Sequence, residues 1–161
     1  MKTLLFITIL FSGLIAGLLY GYSCSVNNGL KNLADNEYLK AMQSINVAIQ
    51  NPLFFIVFMG LLILFPFLSY RVYSVSNVNS FYLVVASAVI YFIGVFGVTI
   101  LGNVPLNERL ARFDIPGASL KEISAMRQVF EKPWNNYHAI RTIASILSFG
   151  LTIVALIKQK I

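Results

Sequence analysis

The chain has 161 residues, of which 58% are hydrophobic and only 11% are charged, and its mean hydropathy is +0.77. This composition excludes an ordinary soluble domain. The net charge of +6 comes from basic residues that flank apolar segments, so it indicates membrane anchoring and no nucleic-acid partner. One cysteine and one histidine are too few for a disulfide, a protein zinc site or a bis-histidine haem, so no metal is expected.

Four apolar segments are long enough to cross a bilayer core of about 30 Å, which takes roughly 20 helical residues. We predict spans over residues 3–26, 53–70, 80–104 and 134–157, in one transmembrane domain over residues 1–161. The uncharged run of the first segment is longer than a signal-peptide core, so we interpret it as a membrane helix. The short second connection forces a hairpin, and the whole pattern predicts an all-α, antiparallel, up-down four-helix bundle.

The first span carries a glycine stripe at four-residue spacing, formed by Gly13, Gly17 and Gly21. Such a stripe lets another helix approach closely in lipid, so we expect helix packing there. The other helix belongs to the same chain, to a second copy in a homo-oligomer, or to a larger assembly, and a substrate lying against the flat stripe is the alternative. Cys24, near the end of this span, is interpreted as a plain apolar packing residue.

The first connection predicts a short amphipathic helix over residues 35–50, which Asn51-Pro52 ends, because a residue before proline disfavours the helical region. Its expected apolar stripe is Tyr38, Met42, Ile45 and Ile49, and its expected polar stripe is Gln43, Asn46 and Gln50.

The third connection predicts a second short amphipathic helix. Ser119 and Glu122 fit a capping box. The apolar face that follows is Ile123, Met126, Val129 and Phe130. Lys132-Pro133 is expected to stop this helix, and Pro133 to open the fourth span.

Both termini lie on one side of the membrane, opposite the two longer connections. The raw number of Lys and Arg favours one orientation, and their density beside the helix ends favours the other. Because long loops count for less, we expect both termini on the cytoplasmic side of a bacterial cytoplasmic membrane.

The start of the fourth span holds the only tryptophan and the only histidine of the chain. Too few uncharged residues follow Arg141 to cross a bilayer, so the helix must carry His138 and Arg141 into the headgroup layer. Trp134, His138 and Arg141 lie at i, i+4 and i+7, on one helix face. Ionisable side chains at this depth normally face a protein interior, a cavity or a partner.

Two further polar clusters are expected at the same end of the bundle. Asn103 and Asn107 lie where the third span ends, and Gln43 and Asn46 lie on the helix of the first connection. Convergence of polar clusters at one end of an apolar bundle predicts a pocket for a small amphipathic molecule. Singly, each residue also has a structural interpretation, as a helix cap, an interfacial anchor or a basic side chain that reaches the headgroups.

The order and spacing of these residues resemble the anthrone oxygenase-like family of small four-helix membrane proteins. The resemblance rests on Asn103-x-Pro105-x-Asn107, on Trp134-x3-His138-x2-Arg141, and on Met42-Gln43-x2-Asn46. It implies, from the fungal members, oxidation of anthrones to anthraquinones by molecular oxygen, without a known metal or flavin. Most bacterial members have no established activity, so the resemblance leaves open whether the chain is an enzyme.

For an enzyme of this kind, His138 is the candidate base that removes the acidic proton of a phenolic or benzylic substrate. Arg141, Asn103 and Asn107 are the candidates that stabilise the resulting oxyanion. The candidate substrate-binding residues are Trp134, Tyr137, Gln43, Asn46 and Met42, of which the two aromatic residues stack on the substrate ring. No cofactor is expected, because an electron-rich carbanion reacts with oxygen directly.

Two other functions remain open at this point. One is a non-catalytic binder of a lipid or quinone-like molecule in the same pocket, and the other is an accessory subunit that docks through the glycine stripe. A cavity beside Arg141 favours an enzyme or a binder. Polar side chains that pack against one another and leave no cavity favour a subunit. A transporter is disfavoured, because no charged residue lies at mid-bilayer depth.

Overall fold

The computed structural model describes residues 2–75 and 78–158, and it confirms the predicted all-α fold. The α-helices of these residues are α1 (Lys2–Gly21), α2 (Asn27–Lys31), α3 (Asp35–Ala48), α4 (Pro52–Val75), α5 (Val78–Ile90), α6 (Val104–Ala111) and α7 (Leu120–Lys158). Three π-helical segments continue the helices, at Tyr22–Val26, Tyr91–Gly97 and Thr99–Asn103.

Four helical stretches are long and apolar enough to cross a membrane, as predicted. They are Thr3–Lys31, Pro52–Ser74, Val78–Ala111 and Leu120–Lys158, and we call them the first to fourth spans. The first and third are longer than the sequence indicated, because the π-helical segments join their α-helices without a break. The protein is therefore an integral membrane four-helix bundle.

Adjacent spans run in opposite directions. One core cluster unites the start of α1, the end of α4, the start of α5 and the end of α7. A second cluster, nearer the other end, unites the end of α1 with the first half of α4 and with the π-helical segment after α5. Each helix therefore meets its neighbours start to end, and α1 and α5 each pack against both α4 and α7.

The fourth span extends far beyond the bilayer. At about 1.5 Å per residue, the 39-residue helix α7 is about 58 Å long, whereas the bilayer core is about 30 Å thick. Its charged first part, residues 120–133, packs with α3 and α6 outside the membrane. We call α3, α6 and residues 120–133 the cap. The cap core contains Tyr38, Leu39, Met42, Leu110, Ile123 and Phe130.

One arginine joins the first part of α7 to the start of α3. Arg127 donates to the Leu33 carbonyl (2.7 Å), to Asp35 Oδ1 (3.0 Å) and to Glu131 Oε2 (2.7 Å). Its guanidinium also lies 4.4 Å from the ring centre of Tyr38. Burial raises the pKa of the Tyr38 phenol above its usual range, so this ring stays neutral beneath the ion pairs. Every acceptor around Arg127 comes from the chain itself.

Pro133 lies inside α7, so the prediction that a new helix opens at this residue is wrong. The predicted capping box is confirmed at the start of α7, where the Ser119 amide donates to Glu122 Oε2 (2.8 Å). Proline removes one backbone hydrogen bond from a helix. Here Phe130 and Trp134, on either side of Pro133, are buried in the same core, and their packing keeps the two halves of α7 together.

The buried faces of the short helices also differ from the prediction. In α3 the buried residues are Tyr38, Leu39, Met42 and Asn46, so Asn46 belongs to the inner face and not to the polar stripe. In α7, Val129 is 40% exposed and lies off the predicted apolar face. The inner end of α3 borders a cavity, and a polar side chain there needs no apolar neighbour.

The glycine stripe is only partly used within the chain. A Cβ atom on Gly13 would lie 3.0 Å from the ring of Phe149, so α1 and α7 approach closely at this residue. Gly17 and Gly21 are exposed and would meet nothing within 4 Å. Cys24 is exposed as well, so its predicted packing role is wrong.

Candidate functional site

A cavity of about 520 Å³ lies where the bundle meets the cap. All four spans line it, and α3 covers one side. Its apolar wall includes Leu19 of the first span and Phe54, Phe58 and Met59 of the second. Its polar wall is formed by Trp134, His138 and Arg141 of the fourth span, with Asn46 of α3. The predicted pocket therefore exists as an open space at this end of the bundle.

Stacked rings form the floor of the polar wall. The rings of Trp134 and His138 lie 5.1 Å apart with only 10° between their planes, as expected for residues one helical turn apart. The Tyr22 ring lies 5.5 Å from Trp134 and 5.2 Å from His138. Trp134 is 3% exposed and His138 is 1% exposed, so neighbouring side chains fix the orientation of both rings.

Hydrogen bonds fix the tautomer of His138. Ser23 Oγ donates to the Leu19 carbonyl (3.1 Å), so it accepts from His138 Nε2, which lies 2.9 Å away. On the other edge of the ring, Arg141 Nε donates to Nδ1 (3.3 Å). An arginine cannot accept a proton in return. His138 therefore carries its proton on Nε2 and presents a lone pair on Nδ1.

A π-helical segment of the first span makes this arrangement possible. Tyr22 and Ser23 are adjacent in sequence, yet both contact the ring of His138. Adjacent residues of a regular α-helix point in directions about 100° apart. Both residues belong to the π-helical segment Tyr22–Val26, and such wider turns occur frequently at functional sites.

Arg141 places a positive charge in the cavity wall without an acidic partner. Its guanidinium lies 5.2 Å from the Trp134 ring centre, and Nη1 lies 3.5 Å from Thr99 Oγ1. Among residues 2–75 and 78–158, the ion pairs involve Arg112 and Arg127, and none involves Arg141. Burying an unpaired charge costs free energy. The cavity wall could therefore accept an anionic group beside Arg141.

Two asparagines hold the tryptophan. Trp134 Nε1 donates to Asn107 Oδ1 (2.8 Å), and Asn103 Nδ2 donates to the Trp134 carbonyl (3.2 Å). Within the described part of the chain, Asn103 Oδ1 and Asn46 Nδ2 are buried without a hydrogen-bond partner. The hydrogen bonds of Asn103 and Asn107 thus go to Trp134, whereas the sequence placed both amides at the substrate oxyanion.

Six of the nine residues predicted for the site line the cavity: Trp134, His138, Arg141, Asn107, Gln43 and Asn46. Asn103, Tyr137 and Met42 are not among the lining residues. The Tyr137 ring lies against Gly102, where an added Cβ would come within 2.6 Å of it. Met42 Sδ accepts from the Tyr22 hydroxyl (3.4 Å), and Gln43 donates to the Leu110 carbonyl (2.8 Å).

Sequence reasoning missed the contribution of the first span. Tyr22 lines the cavity and Ser23 fixes the histidine, but neither belongs to a periodic polar pattern. Topology alone places the end of the first span level with Trp134, but it does not distinguish Tyr22, which lines the cavity, from Tyr20, which is 57% exposed and does not. For metals, the described residues contain no group of three or more His, Cys, Asp or Glu side chains that could hold an ion.

Fold and site together define an integral membrane four-helix protein with a ring-lined cavity beneath a helical cap. The sequence model of the family described as anthrone oxygenase matches residues 54–151, which is more than half of the chain. The chain therefore belongs to the anthrone oxygenase family. The matched range contains Thr99, Trp134, His138 and Arg141, and it leaves the first span and α3 outside. Neither the curated proteins nor the solved structures give a match.

Proposed function

We propose that the protein is an oxygenase that oxidises a small, weakly acidic aromatic substrate of the anthrone type in this cavity. The observation that carries the proposal is Arg141, a partly buried cation without an acidic partner among the described residues, beside the stacked rings of Trp134 and His138. An aromatic substrate fits against the rings, and its ionised oxygen supplies the missing negative charge.

The first step is removal of a proton from the CH2 group between the aromatic rings, or from the OH group of the enol form. Nδ1 of His138 is the unprotonated ring nitrogen, and its lone pair accepts a hydrogen bond from the guanidinium of Arg141. When Nδ1 takes the proton, it no longer accepts from Arg141. The guanidinium then turns its N–H groups to the new oxyanion, which it stabilises more than the neutral substrate.

The second step is the reaction of the carbanion with molecular oxygen. A C–O bond forms, the terminal peroxide oxygen takes a proton from His138, and the hydroperoxide loses water to leave a ketone. In balance, one methylene group and one molecule of oxygen give one carbonyl group and one molecule of water. The substrate gives up four electrons and oxygen accepts four, so the reaction consumes no further reductant.

The test is turnover of anthrone by the purified protein in lipid nanodiscs. We expect anthraquinone formation and oxygen uptake in a 1:1 ratio, above the rate of uncatalysed oxidation. His138→Gln and Arg141→Met should each lower this rate at least about 100-fold, the usual loss when a proton acceptor or an oxyanion donor is removed. Tyr137→Phe is the matched control, because this ring lies outside the cavity. A wild-type rate equal to that of empty nanodiscs contradicts the proposal.

A second candidate is a non-catalytic binder of a lipid or quinone-like molecule. The observation that favours it is the full set of partners around His138, whose two ring nitrogens both contact side chains of the protein. In that case His138 only orients Arg141. A binder retains the aromatic ligand without consuming oxygen. His138→Gln then lowers the affinity for the ligand, and neither wild type nor variant forms anthraquinone.

We further propose that both termini lie on the cytoplasmic side of a bacterial cytoplasmic membrane. Arg71 and Lys158 lie at span ends on the terminal side, and the sequence on that side contains Lys and Arg but no Asp or Glu. A reporter that is active only in the cytoplasm should work when fused to the C-terminus. Activity of a periplasmic reporter at the same position would reverse the orientation.

A further inference from the structure

Part of the cavity wall is also part of the outer surface of the spans. Phe55 and Met59 of the second span line the cavity, and each is 39% exposed. Leu18 of the first span and Ile100 of the third also line it, with exposures of 43% and 40%. A side chain that is both cavity-lining and exposed marks an opening. The cavity therefore has a mouth beside the start of the second span. It also has an opening on the cap side, where the lining residues Val47 and Glu108 are exposed.

This mouth lies at the depth of the acyl chains. The second span begins at Pro52, and Met59 lies seven residues further, about 10 Å along the helix axis. The surrounding exposed side chains are apolar, as expected for a surface against lipid. One turn deeper, Ile63 is 74% exposed but does not line the cavity, so the mouth ends between these two residues.

The polar wall of the cavity carries a positive charge. Arg141 has no acidic partner among the described residues, and Asn46, which is 8% exposed, has a buried Nδ2 without a hydrogen-bond partner. Both groups are hydrogen-bond donors. A ligand that satisfies them has an oxygen acceptor at one end, preferably ionised, and an apolar body that extends towards the mouth.

We propose that the cavity receives its ligand from the bilayer, as a membrane-dissolved aromatic amphiphile whose acidic oxygen pairs with Arg141. The aromatic character of the ligand rests on the proposed function, whereas the route through the lipid-facing mouth rests on the geometry alone. A phospholipid headgroup offers similar anionic oxygens, so the test must separate a lipid from a small amphiphile.

The only tryptophan of the chain makes a direct test possible. Trp134 lines the cavity and is 3% exposed, so a quencher must occupy the cavity to reach its indole ring. The probe is 2,4-dibromophenol, which dissolves in membranes, carries an acidic oxygen, quenches indole at contact and has no CH2 group to oxidise. In phosphatidylcholine nanodiscs we expect saturable quenching by this probe and little quenching by aqueous acrylamide.

Two substitutions locate the mouth. Met59→Phe narrows it, so association and dissociation of the probe, followed by stopped-flow fluorescence, should both slow about tenfold, within the range typical of one binding site. Ile63→Phe adds the same bulk one turn away and should change neither rate. Equal rates in both variants, or quenching by acrylamide as strong as by the phenol, would overturn the proposal.

The charge and the lipid are tested in the same assay. Arg141→Met should abolish saturable quenching, and its retention contradicts the pairing with the acidic oxygen. If nanodiscs of phosphatidylglycerol remove the quenching, the occupant is a lipid headgroup and the proposal fails.

Failure of this proposal is distinguishable from failure of the proposed function. Saturable quenching that slows in Met59→Phe, without any turnover of anthrone, supports the membrane route and removes the oxygenase. Turnover of anthrone that is equally fast in wild type, Met59→Phe and Ile63→Phe supports the oxygenase and removes the membrane route.

Discussion

The two ends of the interface between the third and fourth spans differ in whether their polar side chains have hydrogen-bond partners within the bundle. Far from the cavity, Ser87 Oγ lies 2.6 Å from Thr152 Oγ1 and donates to the Ser148 carbonyl at 2.6 Å. Ser148 Oγ donates in return to the Ser87 carbonyl (2.9 Å). These three hydroxyls are buried, and each has a partner within the bundle. At this end, polarity joins two helices.

At the cavity end the polar groups are longer, and several have no partner of their own. Arg141 lacks a carboxylate, and one amide atom each of Asn46 and Asn103 lacks a hydrogen bond within the described residues. A buried donor without an acceptor costs about 1–3 kcal/mol, so such groups lower stability. In this comparison the small hydroxyls join helices, whereas the larger polar groups at the cavity keep hydrogen-bonding capacity that the proposed ligand would use.

The strongest test of this comparison is Arg141→Met. We expect at least about a 100-fold loss of turnover with anthrone, because the substrate oxyanion loses its cation. Stability should be unchanged or higher, since a partly buried charge without a counter-charge is replaced by an apolar chain of similar length. The two measurements are the anthraquinone rate and the midpoint of thermal unfolding in detergent. A large fall in this midpoint would show that Arg141 holds the fold together.

Arg127→Met should have the opposite profile. This arginine holds the cap through two carboxylates and two backbone carbonyls, so its loss should lower the free energy of unfolding by about 2–3 kcal/mol. Arg112→Met is the matched control, because its ion pair with Glu108 is 3.7 Å long and solvent-exposed, and such pairs contribute little. Equal stability of the two variants would mean that the cap is held by its apolar core alone.

Ser23→Ala should affect turnover less than Arg141→Met. The substitution removes the acceptor that keeps the proton of His138 on Nε2, so the other tautomer becomes populated and Nδ1 loses its lone pair part of the time. We expect about a tenfold lower rate, the lower end of the range for residues that orient a functional histidine. The 15N chemical shifts of the His138 ring report the tautomer directly. An unchanged tautomer together with an unchanged rate would leave Ser23 without a role.

Local signals in the sequence were sufficient for most of the fold. Uninterrupted apolar runs fix the four spans, and the capping box at Ser119 fixes the start of α7. The error at Pro133 has a tertiary cause, because only the packing of Phe130 and Trp134 shows that the helix survives one lost hydrogen bond. The face of Asn46 was assigned wrongly because a polar residue beside a cavity follows no hydrophobic period.

The site residues that lie together on one helix could be predicted from the sequence. The contacts between residues of two helices could not. Trp134, His138 and Arg141 follow from helical spacing within the fourth span. Ser23 reaches His138 through a π-helical segment, whose extra residue leaves no trace in hydropathy. Asn103 and Asn107 were placed at the correct depth, but which of their neighbours they bond depends on the rotation of the third span, and sequence spacing does not specify that rotation.

The smallest expected effects come from one alanine substitution at each end of the interface. Ser87→Ala removes interhelical hydrogen bonds, which in membrane proteins contribute about 0.6 kcal/mol on average, so it should lower stability by about that amount and leave turnover unchanged. Asn46→Ala removes a donor that has no partner among the described residues, so stability should not fall, while the affinity for dibromophenol should. Equilibrium unfolding of both variants measures the stability, and Trp134 quenching measures the affinity for dibromophenol. A stability loss in Asn46→Ala as large as that in Ser87→Ala would show that the amide supports the fold, and the functional distinction between the two ends would then rest on Arg141 alone.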